Sequence, residues 1–327
     1  MRRRAWIAGV AALASAVALV GVSGAAAPTP DPTCPKAFCL DTTAPVPPGV
    51  KVASNKVRVL LPDGYATSGR RYPVVLMLNG ALGDSAQWTT KTDLAAYSRA
   101  FPAVYVMPEG GHHANAGWFT DWADGTWQWE SWHIRSVLPW VDRTFRTNGR
   151  RAVVGASMGA NGALTYAARF PGQFAAAASL SGWVDTQALT PVSGNNANTL
   201  GPADLDRVWG DQLLDADVWA QYNPTALAPR LRGTHVFVAC GSGEVEPHVI
   251  LTGEQGPHGG QREANLALVQ QNFVAAMDLA GVEHTDKFYR GGQHSWPFFQ
   301  DDLRWLFPQM MLVLAEAPAA PPLPRRA

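Results

Sequence analysis

The sequence predicts an α/β protein, a single domain with a mostly parallel central sheet covered by helices on both faces. Three observations lead there. Short continuous apolar runs such as Val74–Leu78 recur along the chain and read as strands buried on both sides. Stretches with helical spacing or small-residue composition separate them, the alternation that parallel crossovers require. Finally, 327 residues of which 47% are hydrophobic are enough for one core.

Taken in order, Arg2, Arg3 and Arg4 precede the uncharged apolar run Ala5–Val22 and the small residues Gly24-Ala25-Ala26-Ala27. This is the pattern of a signal peptide over residues 1–27, cleaved before Pro28. Residues 28–50, rich in Pro, Thr and Ala, read as an extended leader. The domain then runs over 51–315. Val57–Leu61 predicts a strand closed by the turn Pro62-Asp63-Gly64, and Val74–Leu78 and Ala103–Met107 predict buried strands. Trp129–Phe145 has helical spacing with a kink expected at Pro139. Ala152-Val153-Val154 is a short strand leading into a small-residue helix from about Ala160 to Phe170. Strands at Ala175–Leu180, Val236–Ala239 and Thr285–Tyr289 alternate with helices around 263–280 and 298–315. Residues 316–327, with four prolines, read as a disordered tail.

Composition narrows the function. The 26 basic residues balance the 26 acidic ones, and loss of the three signal arginines leaves 26 − 3 = 23 against 26. That balance excludes a strongly basic nucleic-acid binder. With 13 Trp, 12 Phe and 7 Tyr the chain has far too much apolar surface for a disordered protein. Apart from the signal run no stretch is long and apolar enough to span a bilayer, so no stable membrane anchor is expected after cleavage. Of the three cysteines, Cys34 and Cys39 are spaced to close a small loop in an oxidising compartment, leaving Cys240 over. His112, His113 and His258 lie in glycine-rich loops without metal-ligand spacing, and the sequence contains no HExxH stretch. No metal or organic cofactor is implied.

The chemistry concentrates in Gly155-Ala156-Ser157-Met158-Gly159, a G-x-S-x-G stretch directly after a predicted strand and opening a predicted helix. In that strand–turn–helix setting a serine stands exposed on a strained elbow, and the helix N-terminus favours negative charge beside it. A serine hydroxyl needs a base to take its proton. His294, in the loop Gly291-Gly292-Gln293-His294-Ser295-Trp296 after the last predicted strand, is the candidate. The carboxylate orienting it is open between Glu244, just after the Val236–Ala239 strand, and Glu263, at the start of the next helix. Backbone N–H groups of Met158 and of Ala81, in the loop after Val74–Leu78, are the candidate oxyanion donors. The aromatic cluster Trp118, Phe119, Trp122, Trp127, Trp129 and Trp132 reads mainly as packing, with an acyl-chain wall as the alternative.

Several of these stretches together resemble the esterase-D-like branch of the α/β-hydrolases, and within it the secreted mycobacterial mycolyltransferases known as antigen 85. The resemblance runs from about Val57 to Phe307 and rests on Leu78-Asn79-Gly80, Val106-Met107-Pro108-Glu109-Gly110-Gly111 and Trp118-Phe119-Thr120-Asp121-Trp122. It also rests on Trp129-Glu130, Val154–Gly159, Ser181-Gly182, Cys240-Gly241-Ser242-Gly243 and His294-Ser295-Trp296. It implies a single-domain α/β-hydrolase fold and a Ser–Glu–His triad acting through an acyl-serine. Glu263, ten residues before Phe273, matches the family's acid, with Glu244 the alternative. Cys240 matches the family's cysteine near the site. In the mycolyltransferases an Asp and an Arg of the loop after the strand help to hold trehalose, but here that loop reads Asn79-Gly80-Ala81-Leu82. Asn79, Leu82 and Trp296 are therefore the expected substrate-side positions, and the sugar acceptor loses its charge pair.

The combined expectation is a secreted serine esterase acting on a small-molecule or lipid ester. An acyltransferase passing an acyl group to a sugar or glycerol alcohol is the second reading, and a non-catalytic secreted binding protein the third.

Overall fold

The computed structural model describes residues 33–35, 37–187, 204–244 and 259–323. The signal-peptide expectation over 1–27 and His258 lie outside them. Among the described residues one eight-stranded sheet carries the fold, in the order β1-β2-β4-β3-β5-β6-β7-β8. The strands are β1 Cys39–Thr43, β2 Lys56–Leu60, β3 Tyr72–Leu78, β4 Val104–Pro108, β5 Thr147–Ala156, β6 Ala176–Leu180, β7 His235–Gly241 and β8 His284–Tyr289. Pairs β1/β2 and β2/β4 are antiparallel and all others parallel. This is the predicted α/β fold with its mostly parallel sheet.

The helices are α1 Gln87–Lys91, α2 Leu94–Ala100, α3 Trp129–Trp132, α4 Leu138–Thr144, α5 Met158–Arg169, α6 Leu205–Trp209, α7 Ala216–Gln221, α8 Gly259–Ala280 and α9 Trp296–Glu316. Alternation along the strands splits the core into two layers. Val74, Leu76 and Leu78 of β3 join Val153, Val236 and Val238 on the face covered by α5 and α8. Val75 and Met77 join Val154, Ala178, Phe237 and Ala239 on the opposite face, under Leu303, Leu306 and Phe307 of α9. Both faces of each central strand are thus buried, which is why these strands read as continuous apolar runs.

Three local departures from the sequence reading have physical causes. The expected leader contributes the edge strand β1, whose Asp41 takes a two-pronged ion pair from the buried Arg58 at 2.7 Å. The kink expected at Pro139 takes the form of a π-helical turn over His133–Val137, just before α4, because Pro139 has no N–H to continue the α-helical ladder. The last helix is followed by an ordered stretch: Ala320 N–H donates to Gly149 O at 2.8 Å and Gln173 Nε2 to Pro321 O at 2.8 Å. Cys34 and Cys39 are joined in a disulfide beside β1, and Cys240 is a buried free thiol. No helix of the described residues is long and apolar enough to cross a membrane.

Register positions the site. Leu78 pairs with Gly155, Ala156 with Leu180, Leu180 with Ala239, and Gly241 with Tyr289. The carboxyl ends of β3, β5, β6, β7 and β8 therefore finish side by side, where ligands of such sheets bind. The residues that follow them, Asn79, Ser157, Ser181, Ser242 and the loop to His294, crowd one edge.

Candidate active site

Ser157 links β5 to α5 with φ +56° and ψ −120°, a conformation disfavoured for any residue with a Cβ. The surrounding glycines permit it. A Cβ on Gly155 would lie 1.9 Å from Gly159 O, and one on Gly159 would lie 2.3 Å from Leu78 O. Strand, elbow and helix thus meet at backbone contact, and Ser157 N–H is tied to Leu180 O at 3.0 Å.

The structure brings three of the predicted side chains into one hydrogen-bonded line. His294 Nε2 stands 2.9 Å from Ser157 Oγ, and its Nδ1 stands 3.1 Å from Glu263 Oε2. His294 is held edge-on by the Phe299 ring, which Trp296 backs in turn. Glu263, on the first turns of α8, is fully buried. Its Oε1 accepts from Ser181 Oγ at 2.5 Å, from Gly241 N–H at 2.9 Å and from the Cys240 thiol at 3.3 Å. Burial alone drives its pKa up, but His294, Ser181 and the Gly241 amide outweigh burial and hold the carboxyl below its ordinary value. Burial, then the Glu263 charge, pushes the Cys240 thiol up, so it stays protonated and donates. Glu244, the other acid weighed from sequence, is more than half exposed and pairs with Arg290 at 2.6 Å. It does not face His294.

Around this line the predicted substrate-side residues separate. Leu82 is exposed. Trp296 is half-buried and packs edge-on against Trp88. Asn79, expected beside an acceptor, is instead 1% exposed, and its Nδ2 donates to Gly83 O at 2.6 Å, Gly80 O at 3.0 Å and Gly111 O at 3.3 Å. Its NH₂ is shared between the loop that carries Ala81 and Gly111 of the loop after β4, while its buried Oδ1 has no partner among the described residues. Gly80 abuts Ser157, since a Cβ built there would lie 3.8 Å from Ser157 Cβ. Trp118, Phe119, Trp122, Trp129 and Trp132 are core residues, with Trp118 against Trp183 and Trp209. His112, half exposed, pairs with Glu109 at 3.4 Å.

One site residue and one core histidine were not legible beforehand. Ser181, left-handed at φ +49°, was visible only inside a Ser-Gly pair. His133, on the π-turn, accepts from Tyr166 Oη at 2.7 Å and donates to Glu109 O at 2.9 Å; burial takes its pKa down to about 3, so it stays neutral.

Behind Glu263, Asp302 of α9 is fully buried and accepts from Lys287 Nζ at 3.0 Å and from Tyr289 Oη at 3.4 Å. Burial pushes its carboxyl up to about 6, with Lys287 only partly offsetting. An acid with a higher pKa folded than unfolded stabilises the fold at low pH, and that contribution is lost as pH rises through the folded value. For Asp302 the loss runs from about pH 4 to just above 6 and amounts to about 3 kcal/mol. Asp302→Asn is expected to remove this slope from thermal unfolding measured between pH 4 and 8. Parallel wild-type and mutant profiles would mean that Asp302 is ionised throughout.

The family model named Esterase matches residues 53–310. The chain belongs to the esterase family. Esterase Rv1288 of Mycobacterium tuberculosis is 33% identical over 249 residues, 72% of this chain and 52% of that protein. The chain thus spans about half the length of this curated relative. The diacylglycerol acyltransferase/mycolyltransferase Ag85A of Mycobacterium tuberculosis is 28% identical over 283 residues, 80% of each chain. Among solved structures, Mycobacterium tuberculosis MPT51 matches with a TM-score of 0.65 at 19% identity, covering 84% of this chain and 98% of that one. An S-formylglutathione hydrolase from Agrobacterium tumefaciens matches with 0.61 at 18%, covering 79% and 90%. These likenesses identify the α/β-hydrolase fold, and the relatives are esterases and acyltransferases.

Proposed function

We propose that the chain is an exported serine esterase that hydrolyses carboxylic esters of short to medium acyl chains through an acyl-serine intermediate. The observation that carries this reading is the continuous line Ser157 Oγ–His294 Nε2, His294 Nδ1–Glu263. Ser157 Oγ attacks the ester carbonyl while His294 Nε2 takes its proton; the tetrahedral adduct collapses as that proton passes to the leaving alcohol. Water then attacks the acyl-serine, giving its proton to His294, which returns it to Ser157 as the acid departs. Glu263 keeps the imidazole in the tautomer with its proton on Nδ1 and stabilises the imidazolium. The Ala81 and Met158 N–H groups bind the oxyanion, Met158 as the first residue of α5, where helical N–H groups have no internal partner.

Water as acceptor is favoured by the loop chemistry. Where the mycolyltransferases carry an acid and a base, this chain has a buried amide turned to backbone carbonyls and an exposed leucine. The name of the Ag85A relative supports the second reading, transfer to an alcohol. Export is supported by the residue 1–27 pattern and by the Cys34–Cys39 disulfide, a bond at home in oxidising compartments. The test is turnover of p-nitrophenyl esters of graded acyl length with and without glycerol or trehalose. Mainly free acid in all cases is expected. Acylated trehalose as the main product would favour the transferase, and no turnover at all the binding protein.

A further inference from the structure

The loop that carries Ala81 is held by two side-chain amides that neither the family resemblance nor the proposed mechanism uses as such. Gln87, the first residue of α1 and largely buried, turns its Oε1 back to accept from Gly80 N–H at 2.9 Å. Asn79 Nδ2 reaches Gly80 O at 3.0 Å and Gly83 O at 2.6 Å. Consecutive peptide planes are fixed as a result. The Asn79–Gly80 plane is held through its N–H by Gln87, and the Gly80–Ala81 plane through its C=O by Asn79. In a trans peptide the C=O and N–H point in opposite directions. Tying Gly80 O therefore aims the Ala81 N–H the other way.

The flanking residues fit this arrangement. Gly80 has no side chain to resist rotation of the plane that follows it, and apart from Asn79 the carbonyl of that plane is met by the Gly83 N–H, at a longer 3.2 Å. Gly83 is close against the clasp, since a Cβ there would lie 1.9 Å from the Gln87 side chain. From the third side, His113 N–H donates to Ala81 O at 2.9 Å. An oxyanion donor that has to rotate into place loses most of its value, because its advantage over water is that it is already oriented.

We infer that Asn79 and Gln87 are positioning residues that together prevent a flip of the Gly80–Ala81 peptide and so keep the Ala81 N–H available to the developing oxyanion. This rests on the serine-esterase reading above. It also accounts for the departure at position 79, since a carboxylate has no hydrogen to give to Gly80 O, Gly83 O and Gly111 O.

The test compares wild type with Gln87→Met and Asn79→Leu, which remove the acceptor and the donor at similar size, and with Gln87→Glu, which keeps an acceptor oxygen. The measurements are kcat and KM on a p-nitrophenyl ester and the inhibition constant of an alkyl trifluoromethyl ketone, whose adduct with serine carries an oxyanion. Expected are a fall in kcat of about 10- to 100-fold with KM nearly unchanged, a parallel loss of trifluoromethyl ketone affinity, and near-wild-type values in Gln87→Glu. If Gln87→Met does not fold, Gly83→Ala displaces the same amide and should give the same pattern. Met and Leu variants that keep both kcat and ketone affinity would overturn the clasp, as would a fall in kcat that ketone affinity does not follow. An inactive wild-type chain would overturn the esterase reading itself and the clasp with it.

Discussion

Ser157→Ala is expected to lower kcat for an activated ester by about 10⁵- to 10⁶-fold, to what binding and oxyanion contacts alone sustain. The change removes one oxygen and leaves the elbow, its flanking glycines and the Leu180 contact in place, so thermal stability should stay within a few degrees of wild type. The size of the loss follows from the absence of a substitute: without Oγ, His294 Nε2 faces no acidifiable hydroxyl, and water would have to add directly to the ester. A fluorophosphonate probe should label the wild-type chain and not the variant. Turnover within tenfold of wild type would mean that another group is the nucleophile.

Glu263→Gln is expected to cost about 10⁴-fold in kcat, whereas Glu244→Gln should change it by less than about twofold. The asymmetry comes from the hydrogen-bond inventory. Three donors, from Ser181, Gly241 and Cys240, converge on one oxygen of Glu263, while the other faces His294 Nδ1. A glutamine has one acceptor oxygen. Placed toward the three donors, it turns its NH₂ toward Nδ1, which then has to accept; the imidazole proton moves to Nε2, and that nitrogen can no longer take the Ser157 proton. Placed the other way, it buries donors against donors. Glu244, exposed and paired with Arg290, has no such duty. Equal losses in the two variants, read from kcat at saturating ester, would contradict this division.

The sequence made the layout legible where local chemistry dominates. The buried strands β3 to β7 announce themselves as apolar runs, and the Ser157 turn by its two glycines between a strand and a helix. Edge strand β1 did not, because Cys39-Leu-Asp-Thr-Thr is short, half polar and followed by prolines, and only its pairing with β2 makes it a strand. Helices α1, α2, α6 and α7 have five to seven residues each, too few to establish a period. Which glutamate faces His294 was undecidable from spacing, since both follow β7 and only the seating of α8 on the sheet separates them. The roles of Ser181 and Gln87 were hidden for the same reason: their partners lie 82 and 7 residues away, joined by register and loop shape rather than by pattern.

The left-handed residues of this fold are unevenly distributed. His113, Trp118, Phe119, Ser157 and Ser181 all have positive φ without being glycine, and all lie in loops leaving the carboxyl ends of β4, β5 and β6. The turns entering β6, β7 and β8 from the other side use Gly172, Gly233 and Gly281 for the same conformation. Each side chain so placed costs roughly 1–2 kcal/mol, so the five together approach the net stability of an ordinary domain. The molecule is thus polarised between a relaxed end that holds it together and a taut end that its packing must hold in shape. Efforts to make the protein hardier have their room at the relaxed end, among β-strand entries and the ordered stretch after α9. At the taut end, relief of strain at Ser157 or Ser181 would disturb the line to His294 and Glu263.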